Sequence, residues 1–170
     1  AADRTGGAVF SVNAGSTDVS NITIEDMTID GNDATWASSY LLYVTSGATS
    51  QLTDATFRNV TFKGIKSRAL VLTSAARVKV IGCTFNGVGA TNPNGTAIYG
   101  IYVGQAAKKA SSDITIEHNT FTNFGGAAIQ PGTASAGITI VTPASGVRIN
   151  DNHFSNFVAA NNYKLDAIEL

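Results

Sequence analysis

The sequence predicts an all-β solenoid of about five coils, in which short strands stack in parallel along one axis. The first observation is a six-residue pattern that recurs five times, with an apolar residue at its first position and Ile or Phe at its sixth. The copies begin at Ile24, Phe57, Val80, Ile116 and Ile149. The second observation is their spacing of 33, 23, 36 and 33 residues, which is typical of stacked repeats. The shortest repeat has room for three short strands and three bends but none for a helix.

The first strand of each coil leads into the pattern and alternates apolar with polar residues, as in residues 22–24 and 114–116. Because side chains of a strand alternate between its faces, the first position of each pattern is expected to point inward. Gly, Asn and Asp stand between the strands, where tight bends favour them. Each copy therefore predicts two strands that meet at a sharp bend.

The fourth position of the pattern is also expected to point into the core. It holds Asn119 and Asn152 in the last two copies, whose amides can bond to the backbone of neighbouring coils. Met27, Val60 and Cys83 hold it in the first three copies, so the asparagine ladder is expected to be partial. Cys83 is expected to be a small buried side chain, since one cysteine supports neither a disulfide framework nor a Cys-based metal site.

A third strand follows each copy at a variable distance. These strands are predicted at residues 40–44, 68–72, 99–103, 127–130 and 166–170, with an initial copy at 8–12. Their inward residues are predicted to be Leu42, Val44, Leu70, Leu72, Ile101, Val103, Ile129, Ile168 and Leu170. Equivalent residues of successive coils should then form columns about 4.8 Å apart, which is the spacing of parallel strands.

Two stretches carry a resemblance to a known superfamily. Residues 116–123 and 149–156 both read apolar-x-x-Asn-x-Phe-x-Asn, and residues 27–32 read Met-Thr-Ile-Asp-Gly-Asn. In these motifs the chain resembles the right-handed parallel β-helix (pectin-lyase-like) superfamily, as in polysaccharide lyases and bacteriophage tailspikes, over residues 7–170. The resemblance implies a right-handed parallel β-helix. It implies no single function, because the superfamily also includes glycoside hydrolases, alginate epimerases and non-enzymatic adhesins.

Composition excludes two classes of partner. The net charge of −1 gives no global basic field that would hold nucleic acid. No run of 18 apolar residues is present, so no membrane span is expected. The chain is expected to be one domain, residues 1–170, and a fragment of a longer β-helix protein. Open ends expose unpaired strand edges, so self-association is expected, as a homotrimer if the parent is tailspike-like.

Loop lengths indicate where function lies. The gaps are counted from the last position of the pattern to the first predicted inward residue of the third strand. They are 13, 8, 16, 8 and 14 residues, so coils one, three and five carry insertions. Residues 131–146 form a further long excursion after the fourth coil. Long loops on a regular scaffold commonly carry binding and chemistry. The resemblance implies the same place, namely the outer face of the third strand and its flanking loops.

Two outward columns are predicted on that face. One column is predicted to contain Tyr43, Val71, Tyr102, Gln130 and Glu169. The other is predicted to contain Tyr40, Arg68, Tyr99, Ala127 and Asp166. Four of the five tyrosines of the chain therefore fall on one stripe.

This stripe is suited to a sugar chain. The candidate substrate-binding residues are Trp36, Tyr40, Tyr43, Tyr99, Tyr102 and Asp33, of which Trp36 and Asp33 lie in the first inserted loop. Aromatic rings stack on the C–H faces of sugars, and the cations of Arg68 and Lys66 can pair with uronate carboxylates. The alternative is structural, because tyrosines are favoured on sheets and can cover them by cross-strand packing.

Candidate catalytic residues differ with the reaction. For a lyase, Arg68 or Lys66 would neutralise the uronate, and Tyr99 or Tyr102 would move the proton. For a hydrolase, Asp166 and Glu169 form the nearest pair of carboxylates. His118 and Asp151, at equivalent positions of two coils, are a second candidate for proton transfer, although their place at a tight bend favours a role in the turn. His153 aligns with a column of threonines and is expected to be solvated.

No cofactor is expected. The alternative is calcium bound by Asp26, Asp30 and Asp33, but the first two are expected on different bends, which separates the oxygen ligands that calcium needs. Three matches to the glycosylation sequon, at Asn21, Asn59 and Asn94, are expected by chance in a chain so rich in Asn and Thr.

The sequence thus predicts an extracellular, cell-surface or virion module that binds an acidic polysaccharide and degrades it as a lyase or hydrolase in its full-length parent. The alternative is a non-catalytic structural or adhesive β-helix of a phage tail or cell-surface protein. Three signatures are absent: the Asp-Pro-His of alginate epimerases, the Gly-His-Gly of polygalacturonases and the Arg-x-Pro-x-Arg of pectate lyases. The reaction type is therefore left open.

Overall fold

Three parallel β-sheets surround one apolar core. The computed structural model describes residues 7–13, 17–31, 39–45, 49–65, 67–89, 98–104, 108–125, 135–141, 144–158 and 165–169. Throughout these ranges the regular elements are β-strands and the pairings between them are parallel. Parallel neighbours need a crossover connection, and here each crossover passes through the other two sheets. The predicted all-β parallel solenoid is confirmed.

The sheets are named A, B and C, and their strands are given for the described residues. Sheet A contains Gly7–Asn13, Ser39–Thr45, Arg68–Leu72, Tyr99–Val103, Ser135–Ile140 and Leu165–Glu169. Sheet B contains Val19–Ser20, Thr23–Glu25, Leu52–Thr53, Thr56–Arg58, Ala75–Ile81, Ser111–Glu117, Ala144–Ser145 and Arg148–Asn150. Sheet C contains Thr28–Asp30, Thr61–Ile65, Thr84–Gly89, Thr120–Phe124 and His153–Ser155. Sheet C thus takes one strand from each copy of the pattern.

Bends with positive φ surround the first position of the pattern. Three residues before it, φ lies between 54° and 61° at Asn21, Asp54, Arg77, Asp113 and Gly146. Two residues after it, φ lies between 51° and 62° at Asp26, Asn59, Gly82, His118 and Asp151. Asn, Asp and Gly adopt this left-handed conformation at least cost, which explains why they dominate both sets. The second set is the tight bend that the sequence predicted.

Stacked phenylalanines fill the core beneath sheet C. The sixth position of the pattern is occupied by Ile29, Phe62, Phe85, Phe121 and Phe154. Successive ring centroids lie 4.8, 4.7 and 4.9 Å apart, and the rings are within 11° of parallel. This is the spacing of parallel strands, so the backbone register itself places each ring on the next. Burial of one such side chain contributes about 1.5–3 kcal/mol.

The inward asparagines form the predicted ladder. The Asn119 amide Nδ2 donates to the Val80 carbonyl at 2.9 Å, and its Oδ1 accepts from the Cys83 backbone N–H at 2.8 Å. In the next coil, Asn152 Nδ2 donates to the Ile116 carbonyl at 2.9 Å, and its Oδ1 accepts from the Asn119 backbone N–H at 2.9 Å. Each asparagine therefore satisfies backbone groups of the preceding coil that the core would otherwise leave unpaired.

Cys83 takes the same place in the third coil. It is 1% exposed, and its Sγ lies 3.5 Å from the Phe57 carbonyl, the equivalent of the carbonyls that the two asparagines contact. Burial raises the pKa of the Cys83 thiol, so the group stays protonated and donates a weak hydrogen bond. The prediction of a small buried residue is confirmed.

Replacing Asn119 with leucine is expected to lower the free energy of unfolding by about 2 kcal/mol, because the Cys83 N–H and the Val80 carbonyl lose their partner inside the core. Chemical denaturation measures the loss. The matched control is Asn86→Leu, since the partly buried Asn86 side chain accepts one bond, from Asn123 at 2.7 Å. The control should cost less than about 1 kcal/mol. Equal losses would show that the buried bonds of the ladder stabilise the fold no more than the partly buried bond of Asn86 does.

The third strand of the fourth coil was predicted wrongly. Residues 126–130 lie outside the described residues, and the place in sheet A belongs to Ser135–Ile140, which pairs with Tyr99–Val103. Ala136 and Thr139 therefore take the outward places predicted for Ala127 and Gln130, and Ile138, which is fully buried, takes that of Ile129. The gap in this coil becomes 17 residues, so the fourth coil also carries an insertion.

Residues at both ends of the stack are more exposed than their equivalents. Met27 is 43% exposed, whereas its equivalents Val60 and Cys83 are buried, because no described strand covers it in sheet C. Phe10 is also exposed at this end, and Val158 and Ile168 are exposed at the other. The apolar surface is thus concentrated where neighbouring coils are missing from the described part of the chain.

Candidate functional site

The outer face of sheet A carries two columns of side chains in register. One contains Tyr40, Arg68, Tyr99, Ala136 and Asp166. The other contains Tyr43, Val71, Tyr102, Thr139 and Glu169. In the strands whose side chains are described, both columns face outward although they stand three residues apart. This is possible because the two residues between them, such as Leu41 and Leu42, are both buried.

The Arg68 guanidinium lies among three tyrosine rings, a group called here the arginine cluster: Arg68, Tyr40, Tyr99 and Tyr102. Its Cζ atom is 4.6 Å from the Tyr102 ring centroid, 5.3 Å from that of Tyr99 and 5.6 Å from that of Tyr40. Arg68 Nη1 also donates to the Tyr40 hydroxyl at 3.2 Å. Cation–π contacts contribute about 0.5–1 kcal/mol at exposed sites and more when desolvated.

Arg68 has no carboxylate partner among the described residues. Other cations of this part of the chain do form ion pairs: Arg58 with Glu25, Lys63 with Asp30, and Arg77 with Asp54. The Arg77 pair is bidentate, with both distances at 2.7 Å, and it lowers the pKa of Asp54 through those hydrogen bonds. In contrast, Arg68 Nε is buried and has no hydrogen-bond partner among the described residues. Within this part of the chain, the charge of Arg68 is therefore met by tyrosine rings and one hydroxyl and by no carboxylate.

A pocket of about 190 Å³ opens beside the arginine cluster. It is lined by Tyr40, Tyr43, Arg68, Val71, Thr73 and Tyr102. Val71 stands between Tyr43 and Tyr102 in its column, so the smaller side chain leaves a gap between two rings. The tyrosines therefore do not cover the sheet as a continuous flat layer.

The tyrosine walls are held by their neighbours. Tyr43 stacks on Tyr40 with centroids 4.7 Å apart and an interplanar angle of 18°. Tyr102 meets Tyr99 edge to face at 5.6 Å and 71°. Such aromatic pairs contribute about 0.5–1.5 kcal/mol beyond their buried area, so the walls are ordered before any ligand binds.

The strand that carries the two predicted acidic residues lies away from the pocket. Asp166 and Glu169 belong to the strand three places along sheet A from Arg68 and Val71, which is about 14 Å at the spacing of parallel strands. Glu169 accepts a long hydrogen bond of 3.4 Å from the hydroxyl of Thr139. The fold therefore places Arg68 and these two residues on strands that are separated by two others.

Three predicted site residues cannot be placed. Trp36, Asp33 and Lys66 lie outside the described residues, so their roles stay predictions. Thr73 was missed, although it lines the pocket with 2% of its surface exposed. The sequence could have indicated this residue, because Thr73 directly follows the strand that carries Arg68 and Val71 in the shortest repeat.

His118 and Asp151 do not form a close pair. Their nearest side-chain atoms are 3.9 Å apart, which is beyond a hydrogen bond, and the side chains are 62% and 76% exposed. Both residues have positive φ, so their column serves the tight bend, as the sequence favoured. His153 is exposed and pairs in register with Thr120.

The described residues contain no cluster of three or more His, Cys, Asp or Glu side chains that could hold a metal ion. Asp30 is paired with Lys63 at 2.8 Å, and Asp26 accepts a bond from Asn59 at 3.1 Å. Asp33 lies outside the described residues. In the same ranges, no helix has the length and apolar character to cross a bilayer.

Comparison with known proteins gives one match. The model of the right-handed beta-helix region matches residues 6–164, which is nearly the whole chain. No curated protein and no solved structure matches significantly.

Proposed function

This chain belongs to the right-handed beta-helix family, and we propose that it is an extracellular, cell-surface or virion module that binds an acidic polysaccharide on the outer face of sheet A. The observation that carries the proposal is the position of Arg68 at the wall of a tyrosine-lined pocket, with no carboxylate partner in the described part of the chain. The family alone supports only the fold, since many unrelated functions share it. The ligand class comes from the chemistry of the arginine cluster and its pocket.

An anionic group satisfies this arginine better than solvent does. The guanidinium is planar and always charged, and it binds carboxylates by two parallel hydrogen bonds. The tyrosine rings pack around the guanidinium, and Arg68 lines the pocket, so an anion in the pocket would lie beside the charged group. The same rings offer faces for sugar C–H groups, and the Tyr40 hydroxyl, which accepts from Arg68, retains a proton to donate.

Eliminative cleavage fits this pocket better than hydrolysis does. In such a lyase reaction a base takes the proton from the carbon next to the carboxylate, the bond to the leaving oxygen breaks, and that oxygen is protonated. Arg68 would neutralise the carboxylate, and Tyr102, which lines the same pocket, would move the proton. Hydrolysis would need two carboxylates around the scissile bond, whereas the strand of Asp166 and Glu169 lies about 14 Å from that of Arg68 and outside this pocket.

A panel of uronate-rich polysaccharides tests the proposal. Binding is measured by calorimetry, and cleavage by the absorbance of unsaturated products and by reducing ends. We expect binding of at least one acidic polymer, with any product unsaturated. Neutral polymers with the same backbone serve as controls, and the affinity should fall at high salt because the contact is ionic. Failure of every acidic polymer to bind would remove the proposal.

The second candidate is a non-catalytic structural or adhesive β-helix. The observation that favours it is the packing of Arg68 among three rings, which on its own would stabilise sheet A. Under this alternative, removing the arginine lowers stability and changes no binding. Self-association through the ends of the stack, where Phe10 and Ile168 are exposed, is compatible with both candidates. Sedimentation velocity at micromolar concentration reports that association.

A further inference from the structure

We infer that the pocket receives one anionic monosaccharide unit and that Val71 sets the size of that unit. This inference rests on the proposed function, because it specifies the ligand of the same site. The pocket measures about 190 Å³, below the range of about 300–1,000 Å³ typical of sites that enclose drug-sized ligands. A space of this size suits a single ring with its substituents.

The gap arises from the order of residues along one column. Tyr43, Val71 and Tyr102 occupy consecutive strands of sheet A, so the two tyrosines are separated by two strand spacings, about 9.6 Å. A third tyrosine in the middle would continue the aromatic column and fill the gap. Valine does not reach as far, and it lines the pocket with only 2% of its surface exposed.

The walls of the gap have different chemistry. Arg68 supplies the charge, and the tyrosine rings supply apolar faces. The Thr73 hydroxyl donates to the Val44 carbonyl at 3.3 Å, so its oxygen can accept a bond from a sugar hydroxyl. A ring that places its acidic substituent on Arg68 and stacks against a tyrosine therefore uses every kind of contact that the pocket offers.

The test uses size variants at Val71 and defined sugars. The probes are the methyl glycosides of glucuronic, galacturonic and N-acetylneuraminic acids, with methyl galactoside as the neutral control. Acidic oligosaccharides of two to four units, made from the polymer that binds best, complete the series. Val71→Phe should weaken binding of the acidic methyl glycoside about 100-fold by filling the gap, whereas Val71→Ala should bind it within about tenfold of the unchanged protein.

The Val71→Phe variant is expected to fold, because an aromatic residue beside Tyr43 and Tyr102 suits the outer face of a sheet. A melting temperature at or above that of the unchanged protein checks this point. Ile81→Phe is the matched control, since it adds a ring on sheet B, outside the pocket, and should leave binding unchanged. Should Val71→Phe fail to fold, Val71→Ile replaces it, and a loss of about threefold or more supports the inference.

Two results would overturn the inference while leaving the proposed function intact. One is unchanged binding by the folded size variant. The other is an affinity that rises more than about 100-fold from one sugar unit to four, which would show that a length of chain is recognised. If no acidic sugar or polymer binds the unchanged protein, the proposed function itself fails.

Discussion

Replacing Phe121 with alanine is expected to lower the free energy of unfolding by about 3–5 kcal/mol. Phe121 is fully buried, and its ring stacks between those of Phe85 at 4.7 Å and Phe154 at 4.9 Å. Truncation loses the transfer energy of the ring and leaves a cavity that the adjacent coils cannot fill, because hydrogen-bonded strands on both sides fix their spacing. Denaturant unfolding, followed by circular dichroism, measures the loss.

Phe154→Ala is the matched control for this prediction. The residue has the same position in its coil, but it is only partly buried and has one stacked phenylalanine at this position, Phe121. Its truncation should therefore cost clearly less than that of Phe121. Equal costs would mean that the stack contributes through each ring alone and that burial between two coils adds nothing.

Replacing Arg68 with methionine is expected to weaken binding of an acidic polysaccharide about 100-fold or more, since hydrogen bonds to a charged group contribute about 1.5–3 kcal/mol each. The free energy of unfolding should change by less than about 1 kcal/mol. Methionine keeps contacts with the tyrosine rings and replaces a cation whose buried Nε has no partner in the described ranges. Calorimetry and denaturant unfolding of the same preparation give the two values.

Arg58→Met is the control for this substitution. Arg58 pairs with Glu25 on the outer face of sheet B, so its loss should leave binding unchanged. Arg68→Lys should bind the acidic polysaccharide more tightly than Arg68→Met and more weakly than Arg58→Met, because lysine keeps the charge and lacks the planar fork. A large loss of stability in Arg68→Met with unchanged binding would support the structural candidate and exclude a binding role for this side chain.

Most of the fold follows from the repeat itself. The pattern places Ile116, Asn119 and Phe121 inward in one coil, and all three are buried, as the alternation of side chains and the asparagine ladder predicted. Tight bends at Asp26 and Asn59 follow from the preference of these residues for positive φ. These features are local, so each copy of the pattern carries the information by itself.

The error in the fourth coil has a physical cause that the sequence contained. Residues 127–130 match the gap length of the second coil, but Pro131 would then occupy the place of Val103 in an interior strand, where proline cannot donate to the ladder. The observed strand instead places Gly137 beside Gly100 in the same column. A Cβ atom on Gly137 would lie 2.8 Å from the Phe154 ring, so this place requires a very small residue.

The candidate site was only partly predictable. Strand register gave the columns that bring Arg68 between Tyr40 and Tyr99. Strand register did not predict that the arginine leans toward Tyr102, or that a pocket opens beside Val71. Nor did it predict that Arg68 Nε lacks a partner among the described residues. These features depend on side-chain packing between coils. The separation of Asp166 from Arg68 could have been predicted, because the two residues stand three strands apart in one column.

Recognition of the acidic group of a polysaccharide by Arg68 can be tested with a double-mutant cycle between protein and ligand. Unchanged protein and Arg68→Met are each titrated by calorimetry with an acidic oligosaccharide and with its carboxyl-reduced form. We predict that carboxyl reduction weakens binding to the unchanged protein about 100-fold and has little effect on binding to Arg68→Met. Equal effects of carboxyl reduction on both proteins would contradict the claim, because the carboxylate would then be recognised elsewhere.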